Sequence, residues 1–294
     1  MRPNLANRPI LLLLLGLLLL VPAVGGAATE IHSPVDGRNR IAEDPEDPAG
    51  YIELGEYFLR LNNAEEAIDV LLTGQNKALP SADLLVSLSR AYEAEELMAK
   101  SEEACRAALD MDQEHVEAHL RMGEIYFRMG WPKSGLDSFR TAVNLAPEQT
   151  EPKVKLVGGM LEAGQVADAE QACLEFVSVD PDNVDLWLSL GQILEKQEKR
   201  RAAFTTYGQI LVLDPKNSTA YARQGRLFCQ FSQFEAAESA CRKALELDEN
   251  NAIAHAYLGI ACSYLGRNNE ARKHAAIAEK AGLNMVSVWK KIGQ

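Results

Sequence analysis

Positive charge is scarce in this chain: 30 Lys and Arg stand against 42 Asp and Glu, a formal net charge of −12. A duplex-binding protein shows a basic footprint, so the balance argues against nucleic acid as a partner. Aromatic residues make up only 6% of the sequence while Ala and Leu abound, which favours helix over sheet. No glycine-rich phosphate loop is present, and no Ser or Cys stands in the context of a nucleophile. No constellation of acid, base and nucleophile is visible, so a catalytic role, a cofactor and a metal are not expected. What the chain does have is 294 residues, 47% of them hydrophobic, enough for a large core and too apolar for a disordered chain.

The first 28 residues stand apart. Arg2 and Arg8 precede an apolar run from Ile10 to Val24, and Gly25, Gly26, Ala27 and Ala28 follow it, with no acidic residue. A positive start, an apolar run and small residues are the layout of a secretory signal. The run is shorter than the ~20 residues of a comfortable membrane span. Cleavage is the expectation; an uncleaved anchor, with a membrane tether through residues 10–24, is the alternative. Both readings export the rest of the chain and place it in the periplasm or on the extracytoplasmic side. No cysteine precedes Cys105, which excludes a lipid-modified cysteine at the cleavage site.

Three fragments, Glu-Glu-Ala-Cys, Glu-Gln-Ala-Cys and Glu-Ser-Ala-Cys, end at Cys105, Cys173 and Cys241, 68 residues apart each time. That interval is twice 34, and sliding the sequence on itself by 34 brings most of it into register. One column reads Gly55, Ser89, Gly123, Val157, Gly191, Gly225, Gly259; another reads Ala67, Ser101, Gly135, Ala169, Ala203, Ala237, Ala271. Within one copy, Trp187, Leu190, Gly191 and Leu194 stand at i, i+3, i+4 and i+7, and after a polar turn Ala203, Tyr207, Ile210 and Leu211 begin a second amphipathic helix. Each copy is therefore two antiparallel helices, too little to bury its own apolar stripe but able to do so when stacked on its neighbours.

These columns resemble the tetratricopeptide repeat family, most clearly at Trp187, Leu190-Gly191, Ala203, Tyr207 and Pro215, and again at Met122-Gly123, Tyr126, Phe139, Ala142 and Pro147. The resemblance covers about four-fifths of the chain. It implies an all-α, right-handed superhelical solenoid of helix-turn-helix 34-residue repeats, seven of them over residues 48–285. Residues 286–294 read as a C-terminal capping helix, and 29–47, rich in turn formers and charge, read as a linker or tether. The fourth copy departs most, with Lys153 in the aromatic column and Val157 in the glycine column, so looser or differently twisted packing is expected there.

The cysteines share a column with Leu71, Phe139 and Tyr207 and read as small core residues. Equivalent positions two repeats apart lie on the order of 20 Å from each other, beyond disulfide reach; only Cys241 and Cys262, on adjacent repeats, look close enough to pair. His115 and His119 have the i, i+4 spacing of a metal pair, but His115 falls at a repeat junction and His119 in the aromatic column, so packing is the expected role. Gly158 and Gly159 fall within a helix and read as a close approach or a kink.

Stacked repeats offer a concave face, which in the resembled family is lined by the first helix of each pair. By column that face includes an aliphatic ladder with Leu120, together with Phe127. In the last two repeats it carries Arg223, Arg226, Tyr257, Ile260 and Tyr264, with no acid among them. The expectation is that these arginines and tyrosines grip an acidic or C-terminal peptide segment, unless the two arginines are paired with neighbouring acids. No asparagine lines the face, which argues against the carboxylate clamp by which some family members hold chaperone tails. The functional reading is an exported, non-enzymatic adaptor that binds a protein or peptide partner during assembly of an envelope complex. The alternative is an accessory or regulatory subunit of an envelope enzyme system, in polysaccharide synthesis or export or in cytochrome maturation.

Overall fold

A computed structural model describes residues 34–293; the expected signal or anchor lies outside them. Sixteen helices and no strands occur among the described residues. In order they are α1 (Pro34–Glu43), α2 (Pro48–Arg60), α3 (Ala64–Lys77), α4 (Ala82–Ala94), α5 (Met98–Met111), α6 (Val116–Arg128), α7 (Pro132–Leu145), α8 (Thr150–Glu162), α9 (Val166–Val179), α10 (Val184–Lys196), α11 (Arg200–Leu213), α12 (Ser218–Gln230), α13 (Phe234–Leu247), α14 (Ala252–Tyr264), α15 (Asn268–Lys280) and α16 (Val286–Ile292). From α2 to α15 they form seven antiparallel pairs. Neighbouring first helices touch each other while neighbouring second helices do not, so the stack curves with the even-numbered helices on its inner face. It is a helical repeat solenoid. Among the described residues no helix is long and apolar enough to cross a membrane.

Each pair is punctuated at both ends by chemistry that recurs every 34 residues. Asp47, Ser81, His115, Asn183, Asn217 and Asn251 are N-caps, each accepting a backbone N–H from the first turn. At the turn within each pair the backbone enters the left-handed region, at Asn62, Glu96, Gly130, Gly164, Glu198, Ser232 and Gly266. The following N–H reaches back five residues, as Asn63 N–H does to the Phe58 carbonyl and Lys199 N–H to that of Leu194, the bond that ends a helix in a Schellman motif.

The core is set by paired sizes. A Cβ on Gly55 would fall 2.7 Å from Leu71, on Gly123 2.4 Å from Phe139, and on Gly191 2.4 Å from Tyr207. Large residues sixteen positions on fill the space these glycines leave. Cysteine takes the second place opposite Ser89, Val157 and Gly225: Cys105 Sγ lies 2.9 Å from the Ser89 hydroxyl, Val157 is matched by Cys173, and a Cβ on Gly225 would fall 2.4 Å from Cys241 Sγ. The recurring Glu-x-Ala-Cys is thus a packing device. The fourth pair does depart, since α8 and α9 approach each other less closely than the helices of any other pair, although Val157 and Cys173 are buried and Lys153 is buried with its amine over the Phe176 ring, 5.8 Å from the centroid.

One expectation needs correction at the N-terminal end. Residues 29–47 are not a plain linker, since Pro34–Glu43 forms α1 and packs on α2. Gly37 and Gly50 let the two backbones close in, Ile41 covers the apolar end of the stack, and Arg40 pairs with Glu53 at 2.8 Å. A single short helix shows no period of its own, so its sequence reads as turn formers and charge. At the other end α16 lays Val288 and Ile292 over the last pair.

Candidate partner-binding groove

The inner face carries a ladder of ion pairs that run from one repeat to the next. Glu56 receives Arg90 at 2.8 Å; Glu93 receives Arg121 and, at 2.7 Å, Arg128; Glu124 receives Arg121 and Lys155. In the C-terminal half a single carboxylate oxygen of Glu195 accepts from both Arg223 and Arg226, at 3.0 Å each. Glu195 is 7% exposed at its side chain. Here α10 and α12 stand further apart than other neighbouring first helices, and the long arginine side chains bridge the gap. Tyr207, threaded past Gly191, lies beside Glu195, and burial followed by that carboxylate pushes its phenol above the usual range.

Arg223 and Arg226 are therefore brought together, with the Arg226 guanidinium 5.9 Å from the Tyr257 ring centroid, but they are committed to Glu195. The alternative stated for these arginines is the one found: the acid lies 28 and 31 residues upstream, on the preceding repeat. Ile260 is half-buried on the same face. Tyr264 is elsewhere: it stacks on Phe234 at 4.1 Å and is covered by Lys291, near the turn rather than the arginines. Leu120 is no surface residue, being 3% exposed in the main core cluster, because the aliphatic ladder is the contact between successive first helices.

Phe127 does line the groove. It stacks on Phe139, 5.7 Å between centroids, and the two rings floor a recess of 760 Å³ between α6 and α8, with Gly158 and Gly159 on its far wall. The aromatic floor and the Gly158 gap escaped the column reading; the signal available was a glycine sixteen residues ahead of an aromatic.

The histidines serve structure. His115 Nδ1 accepts the Ala118 N–H at 3.2 Å, so Nε2 bears the hydrogen and donates to Asp83 at 3.0 Å. His119 Nε2 donates to the Gln113 carbonyl, as Trp187 Nε1 does to Pro181 and His255 Nε2 to Glu249, each six residues back. Among the described residues no three His, Cys, Asp or Glu are gathered to hold a metal. All five cysteines are free thiols, Cys241 and Cys262 included. Burial pushes Cys105 and Cys262 up to about 11 and Cys173 and Cys229 up to about 12, which keeps them protonated and unreactive.

Models of one family, described as tetratricopeptide repeat, match residues 116–149, 161–218 and 191–252. Over those segments the chain is similar to tetratricopeptide repeat. Among solved structures, yeast Tom70 superposes with a TM-score of 0.69 at 14% identity, covering 88% of this chain and 56% of that one. The Cut9–Hcn1 hetero-tetramer of the APC/C gives 0.61 at 14% identity, covering 88% and 51%. Both are likenesses of fold. In sequence, human protein O-mannosyl-transferase TMTC3 is 26% identical over 167 residues, 56% of this chain but 16% of that protein. The chain thus spans a small part of that relative. Such repeats serve in general to bind protein or peptide partners.

Proposed function

We propose that this chain is an exported, non-enzymatic adaptor that holds a protein partner along the inner face of its repeats while an envelope complex is assembled. The observation that carries the reading is the recess between α6 and α8, where an aromatic floor is open on the concave side. A solenoid interior with no ligand to meet would close such a gap with side chains, as it does over Tyr207. The layout of residues 1–28 supports export. A second reading, an accessory or regulatory arm of an envelope enzyme system, draws support from the partial sequence likeness to a transferase.

A photo-crosslinking residue at Arg128, on the inner face, is expected to capture a partner in intact source cells, while one at the exposed Leu174 of α9 captures none. Partner yield equal at the two positions overturns the adaptor reading. A partner that proves to be an envelope synthase moves the chain to the second. Alkaline phosphatase fused after Gln294 is expected to be active, and an inactive fusion of normal abundance removes export.

A further inference from the structure

We infer that the recess between α6 and α8 takes a large apolar side chain, aromatic by preference, from an acidic segment of the partner; this rests on the adaptor reading and gives it a ligand class. The floor is rigid. The Phe127 ring is held between Gly135 and Gly159, whose added Cβ atoms would fall 2.5 and 3.0 Å from it, and Phe139 stacks beneath after passing Gly123. Gly158 adds no side chain to close the opening. A Cβ on Gly158 would meet nothing within 4 Å, whereas the same column carries Glu124, Gln192 and Arg226 in α6, α10 and α12. Of these, Glu124 reaches Lys155 and Arg226 reaches Glu195 on the neighbouring repeat, and nothing does so from Gly158. The Phe127 ring at an unfilled gap, backed by the buried Phe139, suits a flat apolar group.

Charge identifies the segment that carries it. Around the recess the paired carboxylates lie underneath, Glu93 at 15% and Glu124 at 21% exposed. The cations they hold lie on top, Arg128 at 53% and Lys155 at 39%. On the α10 side Lys196 donates to the Leu161 carbonyl at 2.8 Å, beside the exposed Glu162. A segment entering the recess thus meets mainly guanidinium and ammonium groups, in a molecule whose net charge is strongly negative. Acidic residues flanking the anchor can bind these groups without displacing the buried carboxylates. A basic segment would find its counter-charges already covered.

The test uses fluorescently labelled decapeptides of Gly, Ser, Asp and Glu with one central Phe. The controls replace Phe by Ala in one peptide and Asp and Glu by Lys in another. Anisotropy titration at low salt is expected to give the acidic Phe peptide at least about tenfold tighter binding than either control, weakening as salt rises. Gly158→Leu should remove the Phe preference while its melting temperature stays at or above wild type, since the added side chain enters open space. Equal affinity for Phe and Ala peptides, a preference for the Lys peptide, or undiminished Phe preference in Gly158→Leu overturns the inference. So does binding of none of the peptides. Capture through Arg128 in cells would then still uphold the adaptor reading, so the two fail separately. Sedimentation of the unlabelled protein covers the remaining occupant: a dimer that Gly158→Leu dissociates would show that a second copy fills the recess.

Discussion

Phe139 and Tyr207 occupy the same place two repeats apart, and each passes a glycine to reach the inner face, yet they end in opposite surroundings. Phe139 meets Phe127 and the glycine pair of α8, and the groove above them stays open. Tyr207 meets Glu195, and Arg223 and Arg226 close over that carboxylate from α12. One device therefore builds a recess in the middle of the solenoid and a polar seal in its C-terminal half. The difference teaches that arginines on a concave face are not ligand-binding groups by virtue of their column. Their partners, one repeat away, decide whether they present charge or consume it.

The sharpest way to break this comparison is to remove the acids. Glu195→Ala strands two guanidiniums that share one carboxylate, and a loss of about 3 kcal/mol is expected, the low end for a buried pair because Arg226 is about a third exposed. Glu93→Ala should cost about 1 kcal/mol or less, since Arg121 keeps Glu124 and Arg128 is well solvated. Urea unfolding followed by circular dichroism reads both. Equal losses would mean that the C-terminal arginines are no more structural than those of the middle, and the ligand role first expected of Arg223 and Arg226 would return.

The same alanine placed at two glycines sharpens it further. In Gly191→Ala the new methyl lies 2.4 Å from the Tyr207 ring, and a cost of about 1–3 kcal/mol is expected. In Gly158→Ala the methyl meets nothing, and the helix gains about 0.5–1 kcal/mol. Opposite signs in a urea titration support the contrast between sealed and open groove. A loss at Gly158 would show that the recess is filled in the native state.

The 34-residue period made the helix pairs, their stacking and the small-residue columns legible, because every repeat solves the same packing problem. The cap column was legible too, since Asp47, Ser81, Asn183, Asn217 and Asn251 are all good N-cap residues, and it accounts for His115 better than a metal does. Three things were not. Glu195 could not be matched to Arg223 and Arg226 because a column aligns equivalent residues, while ion pairs join different columns on adjacent helices. Leu120 looked exposed because the inner face of an isolated repeat is exposed, and only the next repeat buries it. The open space at Gly158 depends on side chains from α4, α6 and α8 together, which no single helix encodes.

The smallest expected effect lies at the turns that close the two regions. Gly164 ends α8 at φ 78°, and Glu198 ends α10 at φ 58°, in the same left-handed place of the same motif. An L side chain there costs about 1–2 kcal/mol, while glycine costs about 0.5–1 kcal/mol of chain entropy. Glu198→Gly should therefore gain about 0.5–1 kcal/mol, and Gly164→Glu should lose a similar amount. The carboxylate itself contributes little, since it makes a 3.8 Å contact with Arg200 between two exposed side chains. Asn62→Gly should change least, because asparagine tolerates this conformation. Glu198→Gly also separates the turn from the seal three residues earlier, as it leaves Glu195 and its arginines in place. A gain in the urea midpoint as the single variant, and the same gain in the Glu195→Ala background, assigns the stability of the C-terminal half to two independent sources. A gain that vanishes in that background would show that the turn and the ion pairs form one cooperative unit.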